Sequence, residues 1–494
     1  MLKLNKNGLI LASVTYLLLA CSATQTSVPK IAKVTAIQPE IIRASHSAES
    51  SKEPSLLTLK QIMADPDWIG RQPTFSYWSD SSQSVYYHQK QQGSLETDLW
   101  KRPLNGKGNG SKVALSQQHL HAYKNRILNQ DRVFAAWVFE GNIFVKNLLE
   151  NKVKQLTKDN RQPYNLTFLK DGRLSFQVGN AIFAIHPEHG LYERLITWQF
   201  AHKPNAVENT KDYIGEQQQQ LIEVVALKRQ QMTLRFNRQK KIGQQNSTIA
   251  AADFYFPEGN ETVKASLSPN GIWLVLVEKE TSKKLNDDDI MPNYINENGR
   301  ISNQNVRARV ADAKSERHNI WLINLKTRFR TKLSFNGLPG YNEDVLEAVK
   351  RENAEAKGEK YLANRLPRDI KLMSGAIRWH NQGENVALML EAWDNKDRWL
   401  ATVDMEDATL VNQHRLHDDA WINSRFNSFG WFNKSNELYY LSEESGYSHL
   451  YIKPLNTQAR AVTSGDFEVN SLTLTSEDQF MYFKGNKKHP GIYE

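Results

Sequence analysis

FGWFNKSNELYYLSEESGYSHLYIKPL, Phe429 to Leu455, decides the fold. It runs as an aromatic residue, a polar turn, an alternating strand, and a second strand that opens on His-Leu-Tyr-Ile. The same module recurs along the chain. Its turn half appears as Trp78-Ser-Asp-Ser-Ser, Leu169-Lys-Asp-Gly, Leu267-Ser-Pro-Asn-Gly, Trp379-His-Asn-Gln-Gly, Trp431-Phe-Asn-Lys-Ser and Leu474-Thr-Ser-Glu-Asp. Positions 379, 431 and 474 stand at intervals of 52 and 43 residues, close to the roughly 40 to 50 of a propeller blade. The strand half recurs as Asp98-Leu-Trp-Lys, Asn142-Ile-Phe-Val, Asn180-Ala-Ile-Phe, Asn319-Ile-Trp-Leu, Asp397-Arg-Trp-Leu and His449-Leu-Tyr-Ile.

Period-two runs of Val, Ile, Tyr and Trp between Asn, Asp, Gly and Ser predict antiparallel strands joined by tight turns. A lone hairpin cannot bury its apolar face, whereas blades stacked about an axis bury both faces of each sheet. The expectation is an all-β chain, a β-propeller. With 494 residues, 40% of them hydrophobic and 10% aromatic, the chain can fill such a core. Cys21 is the only cysteine, so packing and strand pairing hold the fold without an internal disulfide.

The N-terminus reads as a targeting segment. Lys3 and Lys6 precede an uncharged run, Asn7 to Ala20, too short for a bilayer span and typical of a secretory signal. It closes on Leu18-Leu19-Ala20-Cys21, similar to a bacterial lipobox. The expectation is cleavage after residue 20 and lipidation of Cys21, which anchors a soluble domain to a membrane face. Ser22 resembles lipoproteins of the outer membrane, so the expected location is the bacterial cell envelope, on the outer membrane facing the periplasm. Residues 21–56, rich in Ser, Thr, Ala and Pro, read as a lipidated tether, and 57–494 as the propeller.

Two stretches break the strand rhythm. Residues 205–245 space Leu221, Val224, Val225 and Leu227 as a helical stripe, and 341–365 carry Val345, Leu346 and Val349 on one face after an N-cap-like Asn342-Glu-Asp. Both are expected as helical insertions; Lys283 to Lys314 reads as a polar excursion. The net charge is +9, and its densest basic run, Lys228 to Lys241, holds no acid. A secreted chain is removed from cytoplasmic nucleic acid, so the run is expected to be a solvated helix face and nucleic acid is not an expected partner.

Metal signals are sparse. Asp287, Asp288 and Asp289 lack the Gly and distal Glu of a calcium loop. His119 and His121 would share one face of a strand, and His186 and His189 flank a turn without a third ligand at zinc spacing. No metal or cofactor is expected.

The start ADPDWIGRQPTFSYWSDSSQSVYY, the turn SLSPNGIWL, and the closing DDAWINSRFNSFGWF, YYLSEESGYSHLYIKPL, TSGDFEV and HPGIYE together resemble the N-terminal propeller of dipeptidyl-peptidase IV-type serine peptidases, most closely the bacterial envelope members. The resemblance implies eight blades, with the last incomplete here, and a following α/β-hydrolase domain that cleaves peptides after a penultimate proline. It also implies that the propeller restricts entry to small or unfolded peptides. No G-x-S-x-G elbow occurs in the sequence, so no catalytic residue is expected and the chain by itself is expected to be inactive. The family grips the substrate's amino terminus with an adjacent Glu pair shortly before the S-P-N-G-like turn. Here FYFPEGNETVKASLSPNG offers the separated Glu258 and Glu261 as candidates. Glu443-Glu444 is adjacent but belongs to a later blade. Expected partners are therefore peptides with proline near the N-terminus, a separate or downstream hydrolase domain, and the membrane through the lipid. The alternative is a stand-alone, lipid-anchored peptide-binding or scaffold propeller of the envelope.

Overall fold

A computed structural model describes residues 57–105, 110–159, 161–205, 212–281, 290–306, 314–363 and 366–494. Cys21, the signal, the whole tether and Asp287 to Asp289 lie outside the described residues. Two units are distinguished. The smaller comprises residues up to Gln72 together with Lys90–Thr97. Within it Thr58 caps the helix Leu59–Ile62, and Lys90 bridges Asp65 at 2.9 Å and Asp67 at 3.0 Å. The Gly93 amide donates to Asp67 at 2.7 Å, and this bond and Lys90 lower the Asp67 pKa.

The larger unit comprises Pro73–Gln89 and Asp98–Glu494 and is a β-propeller. Seven blade-type sheets follow one another among the described residues. Blade I runs from Thr74 to Lys112, blade II from Ile127 to Gln155 and blade III from Tyr164 to Phe200; blade IV runs from Asn260 to Lys332, blade V from Ile370 to His417 and blade VI from Phe429 to Ala461. Each has four strands in sequential order, and blade III adds Phe254–Phe256 in parallel to Tyr192–Phe200. Blade VII is the two-stranded pair Val469–Leu474 and Met481–Gly485. Eight blades were expected; seven blade-type sheets are found among the described residues, and the seventh has two strands.

Every turn unit read from the sequence joins the first strand of a blade to its second, and every strand unit forms or begins a third strand. Outside blade VI, the first-to-second turns share one geometry. An amide donates to the carbonyl three residues back in Ser82→Ser79, Arg132→Asn129, Gly172→Leu169, Gly271→Ser268, Gly383→His380 and Asp478→Thr475, at 2.8 to 3.1 Å. In each the donating residue has left-handed φ. This is a type I turn closed by a left-handed residue, a hairpin connection that suits twisted strands.

Adjacent blades are welded by apolar clusters. Tyr86, Leu99, Trp137 and Phe144 join blades I and II, and Ile143, Val145, Leu174 and Phe176 join II and III. Trp198, Leu267 and Leu274 join III to IV. The largest cluster spans IV, V and VI through Val275, Leu388, Trp399 and Tyr440, while Leu441, Leu450 and Val469 link VI to VII. Full burial of one such side chain is worth roughly 1.5–3 kcal/mol. The aromatic that opens a turn also reaches backward: Trp379 Nε1 donates to Ser266 Oγ of blade IV at 3.1 Å, and Trp431 Nε1 to the Arg378 carbonyl of blade V at 2.9 Å. The recurrent tryptophan therefore sets blade spacing as well as filling the core.

The insertions differ from expectation in detail. The first is two helices, Tyr213–Leu221 capped by Asp212 and Glu223–Gln245, broken at the extended Ile222. Of the stripe, Leu221, Val224 and Leu227 are exposed and Val225 is half-buried, and no residue of the second helix is buried. The basic residues of the run are exposed apart from the half-buried Arg229. The second insertion is helical only over Glu347–Ala356, because Tyr341 turns inward into the core and the Asp344 carboxylate accepts the Leu346 amide, delaying the helix. Inside the polar excursion, Ile290–Asn293 and Ser302–Asn305 pair as a hairpin. His119 and His121 lie in the short helix Gln118–His121 and not on a strand, where His121 Nδ1 meets the Tyr86 hydroxyl at 2.9 Å.

Candidate functional site: an axial cavity

Because every first-to-second turn leaves the same end of its blade, these turns meet. Those of blades II to VII line one cavity of about 840 Å³. Its wall includes Asn129 to Gln130 and Arg132 from blade II, Lys170 from III, Pro269 from IV, His380 to Gln382 from V, Asn433 to Asn436 from VI, and Ser476 to Glu477 from VII. Turn-to-turn hydrogen bonds stitch it together. The Lys170 amide donates to the Pro269 carbonyl at 2.9 Å, Asn270 Nδ2 to the Gly383 carbonyl at 2.9 Å, and Asn433 Nδ2 to Asp478 at 2.7 Å. Lys170 Nζ crosses from blade III to Gln382 of blade V. Burial, and secondarily Lys170, lower the His380 pKa, so this wall residue is neutral at pH 7. Its charged lining consists of Arg132, Lys170, Lys434 and Glu477, and Lys434 is paired to Glu477 at 2.5 Å.

A second cavity, of about 480 Å³, lies between blades III and IV, lined by Tyr164, Asn165, Asn180, Phe200 and Glu261 among others. Of the two predicted substrate-binding acids it takes only one. Glu261 is half-buried and 3.7 Å from Lys279; Glu258 sits in the preceding exposed turn, 3.5 Å from His202. They are not brought together as a pair.

Three further groupings stand outside these cavities. His414 Nε2 lies 3.1 Å from Ser442 Oγ and 3.5 Å from Glu444. Serine and acid thus approach the same ring nitrogen, whereas a nucleophilic triad needs them on opposite nitrogens. Burial, then Arg398, pushes the His414 pKa down to about 4, too low for a base at neutral pH. His186 and His189 stack at 4.4 Å, and Glu188 supplies the third nearby donor that spacing did not reveal. However, His186 Nδ1 already accepts the Glu188 and His189 amides at 3.3 Å. The fully buried Asp397 carboxylate joins Arg368, Arg415 Nε at 2.6 Å and His417 Nδ1 at 3.1 Å. These last groups could be found only in three dimensions. No helix among the described residues is long and apolar enough to cross a membrane.

Fold and cavity define a β-propeller with a polar axial opening. Residues 362–493 match the family model of the dipeptidyl peptidase IV (DPP IV) N-terminal region. The match spans blades V to VII. Among solved structures it is similar to dipeptidyl peptidase 4 of Porphyromonas gingivalis, at 12% identity and TM-score 0.46, covering 89% of this chain and 53% of that one. It is also similar to a putative dipeptidyl aminopeptidase IV of Bacteroides ovatus, at 12% identity and TM-score 0.41, covering 84% and 53%. The chain spans about half the length of these structures. No curated protein matches it.

Proposed function

We propose that the chain is the propeller portion of a dipeptidyl-peptidase IV-like serine peptidase, non-catalytic in itself, which admits and holds peptides for an α/β-hydrolase. The observation that carries this reading is the position of the family match. Residues 362–493 supply the turns of blades V, VI and VII, half of those that surround the axial cavity. An 840 Å³ opening lined by amides and short polar turns suits an extended peptide, whose backbone needs hydrogen-bond donors and acceptors on several sides. Glu261, in the second cavity, is a candidate for a peptide amino terminus, whereas the exposed Glu258 is a weaker one. Anchoring through Cys21 would hold this propeller at the envelope, where peptides are the available substrates.

The test is fluorescence anisotropy with labelled peptides carrying proline at the second position, against the same peptides with proline moved to the centre, and against a folded protein of similar charge. Binding of the peptides with exclusion of the folded protein is the expected result. Absence of binding to every peptide at millimolar concentration refutes the reading.

A further inference from the structure

The axial cavity has a charge pattern that neither the family match nor the fold requires. Its ionisable wall consists of three cations, Arg132, Lys170 and Lys434, one acid, Glu477, and His380, which is neutral. Lys434 and Glu477 cancel as a pair at 2.5 Å, and that contact raises the Lys434 pKa. The remaining acid of the neighbouring turn, Asp478, is occupied by Asn433 Nδ2 and the Lys434 amide, both at 2.7 Å. Asp171, next to Lys170, is held by Arg173. Two positive charges, on blades II and III, are thus left without an acid partner in the cavity wall. Lys170 has only the neutral Gln382 amide as its hydrogen-bond acceptor.

We propose that this opening selects carboxylate-bearing peptides, with Arg132 and Lys170 as the residues that set the preference. This rests on the peptide-handling reading above and names its substrate class. A guanidinium and an ammonium on adjacent blades can take two carboxylates of an extended acidic segment, or one carboxylate between them, with charge-assisted hydrogen bonds. Gln130 and Gln382, on the same wall, carry no charge. Field lines from two like charges in a concave wall also raise the local concentration of acidic segments. Glu477 tunes the site: it holds Lys434 out of play, so its removal adds a third cation.

The experiment compares three labelled octapeptides of equal length, rich in glutamate, glutamine or lysine, by anisotropy on the full chain at low and moderate salt. The wild type should bind the glutamate peptide about tenfold more tightly than the glutamine peptide, with the gap narrowing as salt rises. Lys170→Gln with Arg132→Gln should abolish that preference, so that the variant binds the glutamate and glutamine peptides alike. Glu477→Gln should move the other way and tighten the glutamate peptide several-fold. Equal binding of glutamate and glutamine peptides by the wild type, or an unchanged preference in either variant, overturns the proposal while leaving the peptide-binding reading intact. Failure of all three peptides to bind overturns both.

Discussion

His414 gives a pH dependence that can be computed before it is measured. The imidazole lies between the Tyr440 ring, 4.7 Å away and tilted, and the buried Arg398, with its Nε2 against Ser442 Oγ. Burial is the larger influence and Arg398 the second, and together they bring the pKa down to about 4; Glu444, at 3.5 Å, is too exposed to offset them. In the unfolded chain a histidine titrates near 6.5. The native state therefore refuses a proton that the unfolded state accepts, and stability present above pH 6.5 is lost as pH falls toward 4. Between pH 7.5 and pH 5 this single group removes about 2 kcal/mol, from linkage with these two values. The assay is urea unfolding at both pH values for the wild type and for His414→Gln, which keeps a hydrogen bond to Ser442 but does not titrate. Other histidines with lowered pKa values, His88, His121, His318 and His380, act in both proteins and cancel in the difference. The wild type should lose about 2 kcal/mol more than the variant on acidification. An equal loss in both would show that His414 is protonated without penalty in the native state.

The remaining predictions concern packing and anchoring. Asp397→Ala removes the carboxylate between Arg368 and Arg415, leaving the first with Asp394 and the second with Glu343, and should cost about 2–3 kcal/mol in denaturant unfolding; a cost below about 1 kcal/mol would mean the network is not a strut. Gly383→Ala combines a left-handed φ of 75° with a Cβ that would stand 2.8 Å from the Asn270 backbone nitrogen, and should lower stability by about 2 kcal/mol or more. Cys21→Ala should release the protein from the membrane fraction, and retention of the variant there would exclude lipidation as the anchor.

How much of this was legible in the sequence depends on what each feature is made of. Local features were. A type I turn closed by a left-handed residue favours Gly, and Gly172, Gly271 and Gly383 announced their turns. Blade II was legible only in its strand Asn142-Ile-Phe-Val; its turn was not, because Arg132 holds the left-handed position, with φ 56°, in Asn129-Gln-Asp-Arg. The available signal was Asn129 before a polar triplet and Phe134-Ala-Ala-Trp, and its side chain indeed accepts the Phe134 amide at 2.8 Å. Helix existence was also legible, but its continuity was not: the Leu221 to Leu227 spacing fits one helical stripe, yet Ile222 breaks the helix inside it. Contacts between distant turns were invisible, because Lys170 and Gln382 are neighbours only once blades III and V share an axis.

That difference also explains why the cavity is the better site than either acid singled out beforehand. Glu258 and Glu261 follow from the resemblance to a family Glu pair before one blade's turn, and a blade in isolation offers a ligand one face. The axial wall instead draws one turn from each of six blades, so each contributes a single short polar segment with no local motif. The backward hydrogen bonds of Trp379 and Trp431 fix how far successive blades stand apart, and hence the width of the opening between their turns. Residues chosen for packing thereby determine the geometry in which Arg132, Lys170 and Glu477 act. The selectivity of such a site is set at positions separated by hundreds of residues in sequence, and conservative changes at the tryptophans should alter it as much as changes at the charges.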